Sequence, residues 1–354
     1  ETPEPGEMRR MALTSIAHGA DGLLFFRWRS CRFGAEEYWC GLIDHDNVPR
    51  GRLQEAARLG AELQRLGPAL AGSTVRIDVA VAGGDFDSQA AHQALHHGLP
   101  GPRQAAETVH GALQARQAAV GIVHPSDSLQ GIGVYWVPHL PLFLPAWVPG
   151  IAAWVQEGGT LIVGPRCATK DLNNHVIAGT PPGCLRTLTG TQVEAFTRLN
   201  RPELRPLELR LHGETLSAVL WAEALIPDAD TEVLAVWETR AWQGKAAITR
   251  RAVGRGQVIH VGTWLTAELT RRLADLLDRG GRMPPAYALP EGLEAVERLQ
   301  PDGTRLRFVI NHTDTAVNLP LSGPCTDVLS GETLADGSPL PPNGVRVLRL
   351  PDGV

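Results

Sequence analysis

Two adjacent carboxylates, Glu36 and Glu37, stand beside two aromatics, Tyr38 and Trp39, in the Gly-bounded stretch GAEEYWCG at 34–41. Ionised carboxylates accept paired hydrogen bonds from neighbouring donors, and flat rings pack against apolar faces, so this combination could serve binding chemistry. It equally suits a solvated loop whose rings pack at a rim. Other candidate groups read more plainly as structural. Asp85 and Asp87 in GDFDSQ fit a turn at a strand end with Asx hydrogen bonds. His92 and His96 have the i, i+4 spacing of two ligands on one helix face, with His97 beside them. No acidic or cysteine partner is near, so a solvated helix face is expected and no metal. Cys167 in GPRCATK follows a strand, where a nucleophile could sit. Arg166 is beside it and the small-residue elbow is missing, so a structural thiol is expected. DLNNHV at 171–176 reads as a polar turn or a subunit contact, and Trp28 and Arg29 as braces of a strand end.

These groups belong to a chain of 354 residues, 43% apolar and 20% charged, which implies two or three domains. A net charge of −5 and a pI near 6.2 argue against nucleic acid or an anionic membrane as partner. No apolar run is long enough to span a bilayer. The five cysteines are scattered and never spaced as CxxC, so no disulfide framework, zinc site or other cofactor is expected, and a reducing, cytoplasmic location is. No secretory signal pattern opens the chain, which starts at Glu1 without an initiator methionine.

The positioning elements follow from periodicity. RMALTSIAHGA (10–20) has helical spacing at Met11, Leu13, Ile16 and Ala17. DGLLFFRWR (21–29) reads as a buried strand. RGRLQEAARLGAELQRLG (50–67) is an amphipathic helix ending at Gly67-Pro68. From Ser73, RIDVAVAGG and AVGIVHPSD read as strands, and 88–118 as helical and solvated. A strand at 131–137, a helix at 146–157 and the strand TLIVG form a βαβ unit, hence a parallel sheet with covering helices. Strands then dominate from 215 to 264, a helix closes this region, and GRMPPAYALP (281–290) reads as a linker. The remainder alternates as a small antiparallel β domain.

The stretch PGEMRRMALTSIAHGADGLLFFRWRSCRFGAEEYW resembles the end of the catalytic barrel of family 42 glycoside hydrolases, the β-galactosidases. GDFDSQ, AWVQEGGTLIVGPRCATKDLNNHV, GRGQVIHVGTWL and FVINHTD match that family in kind and order. The resemblance implies three domains. Residues 1–72 would be the last βα unit of a (β/α)8 (TIM) barrel, and 73–280 an α/β trimerisation domain of glutamine-amidotransferase-like (flavodoxin-like) type. Residues 281–354 would be a small antiparallel β domain. Strand 21–29 would then be barrel strand 8, so the loop after it belongs to the substrate mouth. Glu36 matches the family's sugar-binding Glu, and Trp39 stands where the family often has a sugar-contacting His.

Retaining glycosidases need two carboxyls about 5–5.5 Å apart. In the family these are glutamates at the ends of strands 4 and 7, which map upstream of residue 1. Glu1 fits the nucleophile only with the intervening loop deleted, so no catalytic residue is assigned. The expectation is the C-terminal part of a homotrimeric β-galactosidase acting on β-galactosides, with no hydrolysis by this chain alone. The alternative is a non-enzymatic assembly or sugar-binding module derived from the family; an amidotransferase-like enzyme is a weaker third reading.

Overall fold

The computed structural model describes residues 3–83, 85–93 and 98–350. The chain begins with α1 (Glu7–Ala17), α2 (Gly51–Leu70) and β1 (Thr74–Val75). Then follow β2 (Val79–Ala82), α3 (Phe86–Gln93), α4 (Pro102–Gln114), β3 (Val120–Val123), β4 (Val134–Val137), α5 (Val148–Gln156) and β5 (Thr160–Val163). The next stretch holds α6 (Arg186–Thr189), β6 (Thr191–Arg198), β7 (Glu208–Leu211), β8 (Glu214–Ser217) and β9 (Trp221–Pro227). After them come β10 (Thr231–Trp237), β11 (Ala246–Val253), β12 (Gly256–Val261) and α7 (Ala267–Arg279). The last elements are β13 (Leu293–Leu299), β14 (Arg305–Asn311), β15 (Val317–Asn318), β16 (Cys325–Asp327), β17 (Thr333–Leu334), β18 (Pro339–Leu340) and β19 (Val345–Arg349).

These elements form two compact units, one from Ile77 to Ala286 and one from the residues up to Arg76 with those from Tyr287 onward. In the first, β3-β2-β4-β5-β12 run parallel, and β11, β10, β7 and β8 extend the sheet antiparallel. VAVA, VYWV and TLIV are uninterrupted apolar runs because each strand is covered on both faces. Val79, Val134, Trp136 and Ile162 pack on one side with Val109 and Leu113 of α4 and Leu273 and Leu277 of α7. Ala80, Tyr135, Val137, Leu161 and Val163 pack on the other with Ile151 and Val155 of α5. Each fully buried large side chain here contributes about 1.5–3 kcal/mol, and period-two alternation sends successive residues to opposite layers.

In the other unit the sheet order is β1-β13-β14-β19-β16-β17. Leu13 and Ile16 of α1 and Leu59 and Leu66 of α2 meet Val296, Phe308, Ile310 and Val347 on one face of it. Residues 1–72 thus include helices packed on strands of the C-terminal segment. Only Leu59 and Leu66 of α2 are buried, so most of the apolar side read from the sequence is only half covered or exposed. That helix also runs past the expected stop: Ala71 N–H still donates to the Gly67 carbonyl at 2.9 Å, keeping the turn around Pro68 helical.

The expectation of a buried strand at 21–29 is corrected. Residues 22–29 form no regular strand; Leu24 is 91% exposed and Phe26 72% exposed. A strand needs hydrogen-bonded neighbours, and among the described residues this segment pairs only through single bonds to 42–43. No helix among the described residues is long and apolar enough to cross a membrane.

Buried charge in the β-rich unit is paired. Glu297 is fully buried between Arg76, Arg305 and Arg307, at 3.0, 3.0 and 2.7 Å. Glu294 bridges His18 and His312, at 2.8 and 2.7 Å. Burial alone would lift the Glu294 carboxyl, but the bonds from His18 and His312 outweigh it and hold it down to about 2. A carboxyl depressed on folding stabilises fully above its ordinary value of 4.5, and that contribution is lost as pH falls toward 2. Glu294→Gln is therefore expected to cost about 1–3 kcal/mol in urea unfolding at neutral pH. The gap to wild type should narrow steadily below about pH 4.5; a gap constant with pH would contradict this assignment.

Candidate sugar-binding loop

The loop carrying Glu36 and Trp39 is clamped at its base. Leu42 N–H donates to the Arg27 carbonyl at 2.9 Å, Ile43 N–H to Trp28 at 2.9 Å and Ser30 N–H to Ile43 at 3.1 Å. Gly41 is required there: a Cβ would lie 2.6 Å from the Arg29 carbonyl carbon and 2.7 Å from the Ser30 nitrogen. Gly41 N–H is held by Ser30 Oγ at 3.0 Å. Across the loop, His45 Nε2 reaches the carbonyls of Cys31 at 2.7 Å and Glu37 at 2.8 Å. Beyond the clamp, Asp46 takes a two-pronged pair from Arg50 at 2.8 and 2.6 Å, which lowers the Asp46 carboxyl.

Within the loop, Glu37 N–H bonds to the Gly34 carbonyl at 3.3 Å and Trp39 N–H to the Glu36 carbonyl at 3.0 Å. This tight turn brings Glu36 and Trp39 together on exposed chain; Trp39 is 58% and Tyr38 83% exposed. The Glu36 carboxylate takes a short ion pair from Arg27, whose guanidinium lies 4.9 Å from the centroid of Phe26. That bond is the largest cause of a raised Arg27 pKa. Arg27 and His45 were not read as part of this site: a contact nine residues apart in a loop has no periodic signature, and neither does a ring donating to backbone. Chemically, the turn presents a carboxylate for hydroxyls beside two accessible ring faces.

The other candidates fall elsewhere. Asp85 Oδ2 accepts the Ser88 N–H at 2.6 Å and caps α3, as the Asx reading expected, and His124 Nε2 stands 3.4 Å from Oδ1. His92 is buried, not solvated, and its Nε2 bonds the Leu99 carbonyl at 3.0 Å. His96, His97 and Glu1 lie outside the described residues. Among the described residues no three His, Cys, Asp or Glu side chains are grouped to hold a metal. Cys167 is buried, its sulfur taking the Leu140 N–H at 3.3 Å, and burial pushes the thiol up to about 12, so it holds no reactive thiolate. In the 171–176 turn, Asp171 Oδ1 takes the N–H groups of Asn173 and His175, both at 2.9 Å. Trp28 is 61% exposed, and Arg29 reaches Asn47 Oδ1 at 3.2 Å.

The chain thus combines a three-layer α/β unit, a second unit of helices on an antiparallel sheet, and an exposed carboxylate–aromatic loop. Comparison with known proteins makes this specific. The family described as "Beta-galactosidase trimerisation domain" matches residues 85–280, "Beta-galactosidase" matches 1–66, and "Beta-galactosidase C-terminal domain" matches 292–350. A β-galactosidase of Arthrobacter sp. is 32% identical over 335 residues, covering 93% of this chain and 46% of that protein. A β-galactosidase of Halorubrum lacusprofundi is 33% identical over 338 residues, covering 90% and 46%. The crystal structure of the β-galactosidase from Bacillus circulans sp. alkalophilus superposes with a TM-score of 0.87 at 25% identity, covering 98% of this chain and 52% of that one. The chain belongs to glycoside hydrolase family 42, the β-galactosidases, and matches their C-terminal part. It spans about half the length of the curated relatives it matches.

Gly41→Ala is expected to force the 27–30 and 41–43 segments apart and free the loop. Amides 31–40 should exchange faster by about tenfold or more, with the α/β unit unchanged. Unchanged loop exchange would refute the close-approach role of Gly41.

Proposed function

We propose that this chain supplies the substrate-mouth loop, the assembly domain and the C-terminal β domain of a retaining β-galactosidase. The two reacting carboxylates would stand on barrel strands that these residues do not build. In this reading segment 22–29 is a barrel strand, Glu36 takes sugar hydroxyls and Trp39 covers a face of the terminal galactosyl ring. The carrying observation is the exposure of Leu24, Phe26, Trp28 and Phe33 along one short segment. Large apolar side chains gathered this way mark a surface that another element covers. The Arg27 guanidinium holds Glu36 at the loop while leaving its side chain 46% accessible. Five free cysteines fit a reducing, cytoplasmic setting. The α/β unit, residues 85–280, would gather three copies into a homotrimer.

Alone, the chain is expected to leave a chromogenic β-galactoside intact. Joined to the N-terminal half of a family 42 β-galactosidase, it should hydrolyse that substrate. Glu36→Gln should then lower kcat/KM about ten- to a hundredfold, the loss of one charged hydrogen bond. Hydrolysis by the chain alone, or full activity in the joined Glu36→Gln protein, would refute this assignment. A joined protein that binds galactose without hydrolysing it would favour a sugar-binding module.

Sedimentation of the purified chain should give a species three times the 38.1 kDa chain mass at micromolar concentration. A concentration-independent monomer would contradict trimer formation through this domain.

A further inference from the structure

In the α/β unit, several buried side-chain polar atoms have no hydrogen-bond partner among the described residues, and three of them lie close together: His92 Nδ1, His139 Nε2 and Arg166 Nη1. The residues are 9%, 1% and 9% exposed. They belong to one cluster. The His92 and His139 rings meet edge-on with centroids 5.5 Å apart, and His139 lies 4.9 Å from the Trp264 ring. The Arg166 guanidinium sits 5.0 Å over Trp221, which packs in one buried cluster with Trp264. An unsatisfied buried polar group costs free energy, more when charged, so three in one cluster call for an occupant.

Their place in the fold points the same way. His139 stands two residues beyond β4, and His92 is on α3, which follows β2. β2 and β4 are neighbours, and β3 lies on the far side of β2, so the strand order reverses between them. In open α/β sheets the crevice beyond the carboxyl ends of two such strands is where ligands bind.

Hydrogen positions then define the occupant. The second nitrogen of each ring already faces a backbone carbonyl: His92 Nε2 at 3.0 Å from Leu99 and His139 Nδ1 at 3.2 Å from Pro165. A carbonyl only accepts, so those nitrogens carry the protons and the orphan nitrogens are bare acceptors in the neutral rings. Burial keeps the rings neutral, holding His139 down to about 3, with the Arg166 charge acting in the same direction. Arg166 Nη1 is a donor, and the buried Lys170 adds a second cation, its Nζ on the Ala91 carbonyl at 3.2 Å and on Asn174 Oδ1. Glu223 gives one oxygen to the Arg166 and Trp221 N–H groups, both at 3.0 Å, and burial pushes its carboxyl up to about 7. At neutral pH it offsets part of the local positive charge.

The site therefore asks for negative charge on acceptor oxygens facing Arg166 and for hydroxyl hydrogens facing two imidazoles. Dihydrogen phosphate carries two of each. We propose that the α/β unit holds a small protonated phosphate-type oxyanion, its anionic oxygens on Arg166 and its hydroxyls on His92 and His139. No family description matched by this chain assigns a ligand there, and none of its residues belongs to the loop bearing Glu36.

The test is calorimetric titration of the full chain with inorganic phosphate at slightly acidic pH, ionic strength held constant with chloride. One saturable site is expected, with sulfate, which lacks a hydroxyl, at least about tenfold weaker. Arg166→Gln and His139→Phe should each weaken phosphate by about tenfold or more; His92→Gln serves if either fails to fold by circular dichroism. Equal binding of sulfate and phosphate, undiminished binding in the folded variants, or no saturable heat would overturn the proposal. So would crystals grown in phosphate that show only a water molecule bridging the three atoms.

Discussion

An extended backbone satisfies its N–H and C=O groups only through neighbours on either side, and its apolar side chains only through a layer above or below. Segment 22–29 has the composition of an interior strand and lacks both. Its pairing with 42–43 fixes the base of the 31–40 loop, so the Glu36–Trp39 turn is shaped although 22–29 is not a regular strand. Gly41, Ser30 and His45 preserve the loop through contacts made among its own residues. The loop's geometry is thus local, and what remains open is the surface on which it stands.

The α/β unit shows the opposite condition. Strands β2, β4 and β5 are covered on both faces, and fully buried Trp136 and Tyr135 point to opposite layers. Buried polar groups without partners, several of them in this unit, are therefore enclosed by packed apolar layers. His92, His139 and Arg166 come from the ends of different elements, as expected where strand order reverses. In the β-rich unit, by contrast, Glu297 and Glu294 are matched by arginines and histidines within the same sheet and its helices, and there the buried charge is structural.

Much of this was legible in the sequence. The β4–α5–β5 unit followed from apolar runs of strand length, a helical stretch and Gly158-Gly159, because local pattern and tertiary burial agree there. The closing helix α7 and strands β13, β14 and β19 were legible for the same reason. Segment 21–29 was misread as a buried strand because an apolar run encodes what a segment would bury, not whether its neighbours are present. His92 was placed on a solvated face because helical spacing cannot reveal that Leu99 folds back over the ring. The Arg27–Glu36 pair, and the meeting of Arg166 with Glu223 across 57 positions, depend on tertiary approach and leave no periodic trace. The excess of apolar surface on α2 was in plain view: Leu53, Ala56, Ala57, Leu59, Ala61, Leu63 and Leu66 make its apolar side, and the fold buries only Leu59 and Leu66 of these.

We propose that segment 22–29 becomes a barrel strand where further barrel strands of the family stand beside it. Amide hydrogen exchange of residues 22–30, in the chain alone and joined to the N-terminal half of a family 42 β-galactosidase, tests it most directly. Rapid exchange at Leu23–Phe26 is expected in the isolated chain, and strong protection in the joined protein. Strong protection in the isolated chain, or exchange equally fast in both, would contradict it.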